Sequence, residues 1–204
     1  MANNEAGNAA DLDAVADCCR ILGALFYYPP EHAAVAPILA LLREGEWPQA
    51  WQFGDAGELR RVGAEMAAAL ADADALPALA EEYQRLFVGP DHLDAPPWGS
   101  VYLEEEGTLF GDSTLALRDF LDAEGVALRT EQQEPEDHIG LLFWAAAWLA
   151  EAQRPAALRR LLDDHLSRWS DAYLDQFART VLHPFYRALG HLARLTLDSL
   201  RTRA

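Results

Sequence analysis

The densest group of chemically capable side chains is the run Glu134-Pro135-Glu136-Asp137-His138, which precedes a long apolar segment. Its three carboxylates suit a helix N-terminus, where the helix dipole stabilises negative charge. The same carboxylates could instead bind the guanidinium fork of an arginine from a partner, in a charge-assisted contact stronger than a neutral hydrogen bond. The run is therefore open to a structural and to a binding interpretation.

A second candidate is Gly111-Asp112-Ser113, which resembles the nucleophile block of GDS-type serine hydrolases. Those enzymes present the serine after a strand and take their base from an Asp-x-x-His near the C-terminus. The last third of this chain contains no such sequence. Because a catalytic serine depends on its partners, we favour Asp112 or Ser113 as the N-cap of the following helix. A hydrolase is kept as an alternative function.

The six histidines and two cysteines lack the spacing of a metal site. No two histidines are separated by four residues, and Cys18 and Cys19 are neighbours on a predicted helix, where their side chains point about 100° apart. No glycine-rich phosphate-binding motif is present. The sequence therefore predicts neither a metal nor a cofactor, and two buried thiols in a reducing compartment, the cytoplasm.

The most rigid loop of the chain offers a candidate surface for a peptide. Ala95-Pro96-Pro97-Trp98 lies in a segment rich in proline and glycine, residues 89–112. A stiff loop that presents aromatic rings loses little entropy when a peptide docks on it. The alternative is that Trp98 packs into the end of the fold.

Elsewhere the apolar residues recur with helical spacing, interrupted by proline and glycine. This pattern predicts an all-α protein, a single bundle of roughly eight to ten helices, with a flexible N-terminus at residues 1–10 and one helical domain at 11–204. Residues 134–153 are apolar on nearly all sides, so we predict a central helix there with Trp144 and Trp148 in the core.

The charge balance restricts the partners. The chain has 16 basic and 33 acidic residues, a net charge of −17, and it contains no lysine. Such a charge disfavours nucleic acid and anionic membrane surfaces and favours a basic peptide. Residues 1–10 lack the apolar core of a secretory leader, and the longest apolar stretch, Ile139–Ala150, is too short to span a bilayer.

Six segments of this sequence together resemble the TorD/DmsD/NarJ family of redox-enzyme maturation chaperones. They extend over almost the whole chain after residue 15: RILGALFYYPPE (20–31), QRLFVGP (84–90), PPWGSVY (96–102), LFGDSTLALRDFL (109–121), EPEDHIG (134–140) and HPFYRALGHLARLTL (183–197). The similarity is greatest to the branch that serves dimethyl sulfoxide reductase.

The resemblance implies an all-α fold, no catalysis, and binding of the twin-arginine (Tat) leader peptide of a molybdoenzyme catalytic subunit until its cofactor is loaded. It also implies a leader-binding surface, with Arg20 on a matching helix nearby in sequence. The implied binding residues are Tyr27, Tyr83, Leu86, Phe87, Pro96, Pro97, Trp98, Gly111, Pro135, Glu136, Asp137 and His138.

Some positions depart from that branch. Tyr83 and Tyr102 stand where tryptophan is expected, and the loop 91–94 is more acidic. The identity of the client enzyme therefore stays open, as do contact with the Tat translocase and the oligomeric state. A generic helical interaction module is the remaining alternative.

Overall fold

The computed structural model describes residues 2–72, 74–90, 92–104, 111–128 and 134–203. These ranges contain ten α-helices and no strand, which confirms the predicted all-α class and helix number. The helices are α1 Ala2–Tyr27, α2 Ala36–Glu44, α3 Ala56–Ala69, α4 Ala75–Tyr83, α5 Ser100–Leu103, α6 Asp112–Glu124, α7 Ile139–Glu151, α8 Pro155–Arg160, α9 Ser170–Thr180 and α10 Pro184–Arg203. A π-helical segment extends α4 over Gln84–Val88 and α8 over Leu161–Leu166, and a 3-10 turn occupies Trp47–Gln49.

The chain forms two compact units. The first unit comprises the chain up to Gly23 together with Trp98–Ser170, and the second comprises Ala24–Pro97 and Asp171–Ala204. The helix α1 begins at Ala2, so no element boundary falls at residue 10. The flexibility of residues 1–10 and the assignment of 11–204 to one domain stay predictions.

The core of the first unit is built around α7, whose alanine and leucine side chains are almost all buried. The prediction that Trp148 is also buried is wrong, because this side chain is 38% exposed. Trp144 is only half-buried; its indole N–H donates to the carbonyl of Arg20 at 3.3 Å. Positions 144, 148 and 151 share one face of the helix, and this face is turned outward.

Glycine ends two helices where the sequence predicts it. Gly45 follows α2 with φ 74° and Gly125 follows α6 with φ 69°, the left-handed conformation that closes a helix at little cost for glycine. Cys18 and Cys19 are both buried, which confirms the prediction of two buried thiols. In the part of the chain that the structure describes, no helix is long and apolar enough to span a membrane.

In the second unit, a buried glutamate fixes the connection between α9 and α10. Glu82 is 6% exposed, and its carboxylate accepts two hydrogen bonds of 2.8 Å from Arg85. It also accepts the backbone N–H groups of Leu182 at 2.7 Å and His183 at 3.1 Å. Burial by itself raises the pKa of Glu82, but these hydrogen bonds outweigh burial and hold the pKa below its ordinary value.

Candidate functional site

Two segments that the sequence marks as separate candidates lie side by side in the first unit. Trp98 and His138 form an isolated antiparallel bridge, and the N–H of Gly99 donates to the carbonyl of Asp137 at 3.1 Å. The ring centroids of Trp98 and His138 are 6.0 Å apart in an edge-to-face arrangement. Trp98, Gly99 and the acidic run 134–138 therefore form one local structure.

Asp137 is the centre of this structure and is 4% exposed. Its Oδ2 accepts the N–H of Ser100 at 2.6 Å and the hydroxyl of Thr114 at 3.4 Å, so it joins the start of α5 to the start of α6. Its Oδ1 is buried and has no hydrogen-bond partner among the described residues, and the same holds for Oγ of Ser100. Such an unpaired buried polar atom costs about 1–3 kcal/mol, and a hydrogen-bond donor from a ligand would recover that cost.

Asp137 and Ser100 both line a cleft within the first unit. The cleft has a volume of about 700 Å³, a size suited to a peptide side chain or a small ligand. Residues of α6 and of the π-helical end of α8 line this cleft. The remaining lining residues are Gly99, Leu103, Ser113, Ala116, Leu117, Asp119, Phe120, Ala123, Arg160, Asp164, His165, Arg168 and Trp169.

Glu136, the neighbour of Asp137, is already engaged within the protein. Arg118 on α6 donates to both of its carboxylate oxygens, at 2.9 and 2.8 Å. This bidentate hydrogen bonding holds the pKa of Glu136 below its ordinary value. Asp137 therefore suits an incoming cation better than Glu136 does.

His138 is the N-cap of α7. Its Nδ1 accepts the N–H of Gly140 at 3.1 Å, so the neutral ring carries its proton on Nε2. Burial lowers the pKa of His138 to about 3. The folded protein thus requires an uncharged imidazole at this position.

This requirement predicts a stability change on acidification. The folded pKa lies below the unfolded value of about 6.5, so the unfolded chain binds a proton first, and stability falls as pH drops from about 6.5 toward 3. We expect His138 to contribute a loss of about 2 kcal/mol between pH 7 and pH 5, measured by urea unfolding.

The matched control is His138→Asn, since asparagine also caps helices but does not titrate. Glu82 and Glu136 have lowered pKa values and lose their stabilising effect only below about pH 4.5, outside this window. Equal pH dependence in the wild type and in His138→Asn between pH 7 and 5 would contradict a neutral, buried His138.

Gly111 and Pro135 support the same structure. Gly111 is the N-cap residue of α6, and the carboxylate of Glu104 accepts the N–H of Ser113 at 2.9 Å. A Cβ at Gly111 would lie 2.6 Å from Oε1 of Glu104, so glycine leaves room for this cap. The prediction that Asp112 or Ser113 is the N-cap is wrong, because the N-cap is Gly111 and the capping carboxylate comes from Glu104, nine positions before Ser113.

The carbonyl of Pro135 accepts the N–H of His138 at 3.1 Å, which forms the turn before α7.

The other six predicted binding residues lie in the second unit, and most of them are part of its core. Tyr27, Tyr83, Leu86 and Phe87 are 3–7% exposed. The hydroxyl of Tyr83 donates to the carbonyl of Tyr27, and its ring lies 4.9 Å from that of Phe87. Pro97 is buried and Pro96 is half-buried. A leader-binding role for these six residues stays a prediction.

The second unit has a cleft of its own, of about 620 Å³, between α3, α9 and α10. Its Arg61 pairs with Glu58 and Glu65, and its Arg194 pairs with Asp175. No buried unpaired polar atom of the described residues lines it. The cleft beside Asp137 is therefore the better candidate site. The described residues contain no cluster of histidine, cysteine and carboxylate side chains that could hold a metal.

Three residues of the site escape prediction from the sequence: Ser100, Thr114 and Arg118. Each contacts the acidic run from 18 to 37 positions away along the chain. Thr114 and Arg118 are four residues apart on α6 and so share a face, which is the one local signal that they act together. Their partners become apparent only when the chain is folded.

Comparisons with known proteins point to one family. Residues 54–175 match the family model described as "Nitrate reductase delta subunit". The chain is 47% identical to the Tat proofreading chaperone DmsD of Salmonella typhimurium, over 91% of this chain and 88% of the relative. It is 42% identical to a probable Tat proofreading chaperone DmsD of Haemophilus influenzae, over 88% of this chain and 86% of that relative. The fold is similar, at a TM-score of 0.56 and 20% identity, to a proposed redox enzyme maturation protein of Archaeoglobus fulgidus, over 86% of this chain and 91% of that one.

Proposed function

Since the chain belongs to the TorD/DmsD/NarJ family of redox-enzyme maturation chaperones, we propose that it binds the twin-arginine leader peptide of a molybdoenzyme catalytic subunit. The protein acts in the cytoplasm and holds the leader until the cofactor of the client is in place. The resemblance of the sequence to the branch that serves dimethyl sulfoxide reductase favours that enzyme as the client. The leader segment then passes to the Tat translocase.

The observation that carries this proposal is the unpaired oxygen of Asp137. Oδ1 is buried and has no donor among the described residues, and Asp137 is one of the residues that line the cleft. A guanidinium is the side-chain group best suited to it, because its fixed charge and planar fork of N–H donors match a carboxylate. One arginine of the leader would donate to Oδ1 of Asp137 and to Oγ of Ser100 within the same cleft.

The charge of the whole chain acts in the same direction. A net charge of −17 attracts a basic leader at a distance and accelerates its association. This contribution is screened by salt, whereas the contact with a buried carboxylate is screened much less. High salt should therefore slow association more than it accelerates dissociation.

We propose a binding protein and not an enzyme. The GDS segment is accounted for by helix capping, because the N–H of Ser113 is bound by Glu104 and Gly111 leaves space for that carboxylate. The family to which the relatives belong consists of chaperones, which makes the hydrolase the weaker alternative.

The test is a titration of the full chain, by calorimetry, with a synthetic Tat leader of a dimethyl sulfoxide reductase catalytic subunit. We expect binding in the micromolar range or tighter, about −8 kcal/mol. The control peptide has glutamine in place of both arginines, and its affinity should fall at least tenfold. Equal affinity for the two peptides would contradict the proposed function, and so would equal affinity for a general secretory leader without an arginine pair.

A further inference from the structure

We propose that Glu134 is a positioning residue for Trp98: it holds the indole so that Trp98 offers the leader only apolar ring surface. The inference rests on the proposed function and adds a specificity-determining residue to it. Glu134 belongs to the acidic run, but neither the run's helix-capping interpretation nor its arginine-binding interpretation accounts for the contact that it makes.

The geometry fixes Trp98 from two sides. The indole N–H donates to Oε2 of Glu134 at 3.0 Å, while the ring of His138 lies edge-to-face at 6.0 Å. The backbone bridge between Trp98 and His138 sets the position of the Cα atom. With the backbone, one ring contact and one hydrogen bond in place, a half-buried tryptophan is held to a single orientation.

The hydrogen bond also decides what Trp98 can recognise. An indole has one donor and no acceptor, and Glu134 takes that donor. Trp98 therefore has no hydrogen bond left for a backbone carbonyl of a leader. Its exposed surface is aromatic carbon, which suits an apolar side chain from the segment that follows the arginine pair.

The test uses four variants: Glu134→Leu, Glu134→Gln, Trp98→Phe and the double variant Glu134→Leu/Trp98→Phe. Glutamine keeps an acceptor for the indole N–H, leucine removes it, and phenylalanine removes the donor while keeping an aromatic ring. We expect leader affinity to fall about fivefold to tenfold in Glu134→Leu and in Trp98→Phe, because each removes the orienting hydrogen bond, and to stay within about twofold in Glu134→Gln. The double variant should bind as Trp98→Phe does.

A spectroscopic readout is independent of the leader. The indole N–H resonance of Trp98, assigned by its loss in Trp98→Phe, should shift upfield and exchange faster with water in Glu134→Leu, and little in Glu134→Gln. An unchanged resonance in Glu134→Leu would overturn the positioning role.

Binding outcomes separate the remaining cases. A loss in Trp98→Phe more than tenfold greater than the loss in Glu134→Leu would mean that the leader itself uses the indole N–H, which overturns the apolar recognition. A further loss in the double variant beyond that in Trp98→Phe would mean that Glu134 acts on the leader other than through Trp98, which overturns the positioning role. If the wild type binds no leader while the resonance responds as expected, the proposed function fails and the Glu134–Trp98 bond stands as a structural contact alone.

Discussion

Replacement of Phe87 with alanine is expected to lower the free energy of unfolding by about 3–5 kcal/mol, the range for removing a buried aromatic ring. Phe87 is 7% exposed and lies in a cluster of aromatic rings of the second unit. The ring centroids of Phe26, Phe177 and Tyr186 are 6.0–6.2 Å away, and that of Tyr83 is 4.9 Å away. Truncation leaves a cavity that these rigid rings cannot fill. Urea unfolding of the variant measures the loss.

The neighbouring residue provides the control. Val88 is 58% exposed, so Val88→Ala should change stability by less than about 0.5 kcal/mol. The family resemblance places Phe87 on the leader-binding surface, and the two roles give different results. If Phe87→Ala has the same free energy of unfolding as the wild type but no longer binds the leader, then Phe87 contributes to leader binding and not to the stability of the fold.

Most helices, and the C-terminal ends of several, were predictable because local rules determine them. Pro29 and Pro30 follow the end of α1, and Gly45 and Gly125 close α2 and α6. In each case the residue excludes the next helical turn or adopts a left-handed conformation without strain. The π-helical end of α4 was not predictable, since the apolar spacing from Leu79 to Phe87 does not distinguish the two helical forms.

Burial was predicted less well, because it depends on what packs against a helix. Trp148 lies on a helix that is apolar on nearly every side, and the sequence contains nothing to show which side faces solvent. Tyrosine and leucine are common both in binding clefts and in protein cores, so the residue types of Tyr27 and Leu86 do not distinguish the two. The structure places both residues in the core.

The polar contacts of the site were missed for a related reason. Asp137 was identified by its charge, but its partner Ser100 lies 37 positions away and supplies a backbone N–H, which no residue type reveals. The cap of α6 likewise comes from Glu104, outside the helix. Sequence patterns detect caps within one turn, whereas these come from separate segments.

Asp137→Asn is expected to weaken leader binding by about 10-fold to 100-fold while leaving the fold intact. The amide oxygen of asparagine can still accept the N–H of Ser100, which now bonds to Oδ2 at 2.6 Å. The atom that replaces Oδ1 becomes an NH₂ group, a donor that cannot bind a guanidinium. Loss of a buried, charge-assisted contact of this kind costs about 1.4–3 kcal/mol, which corresponds to that range of affinity. In Asp137→Asn the free energy of unfolding, measured in urea, should change by less than about 1 kcal/mol. Asp137→Ala should lower the free energy of unfolding by about 1–3 kcal/mol, because the N–H of Ser100 then has no acceptor.

Glu136→Gln is the matched control, because it removes the same charge one residue away, from a carboxylate that Arg118 already binds. We expect it to change leader affinity by threefold or less. Leaders in which one arginine at a time is replaced with glutamine complete a double-mutant cycle. Replacing the leader arginine that binds Asp137 should lower affinity for the wild type but should not lower affinity for Asp137→Asn any further. Replacing the other arginine should lower affinity for both proteins by the same factor. Equal losses from Glu136→Gln and Asp137→Asn would attribute the effect to total charge, and full leader affinity in Asp137→Asn would place the arginine contact away from this cleft.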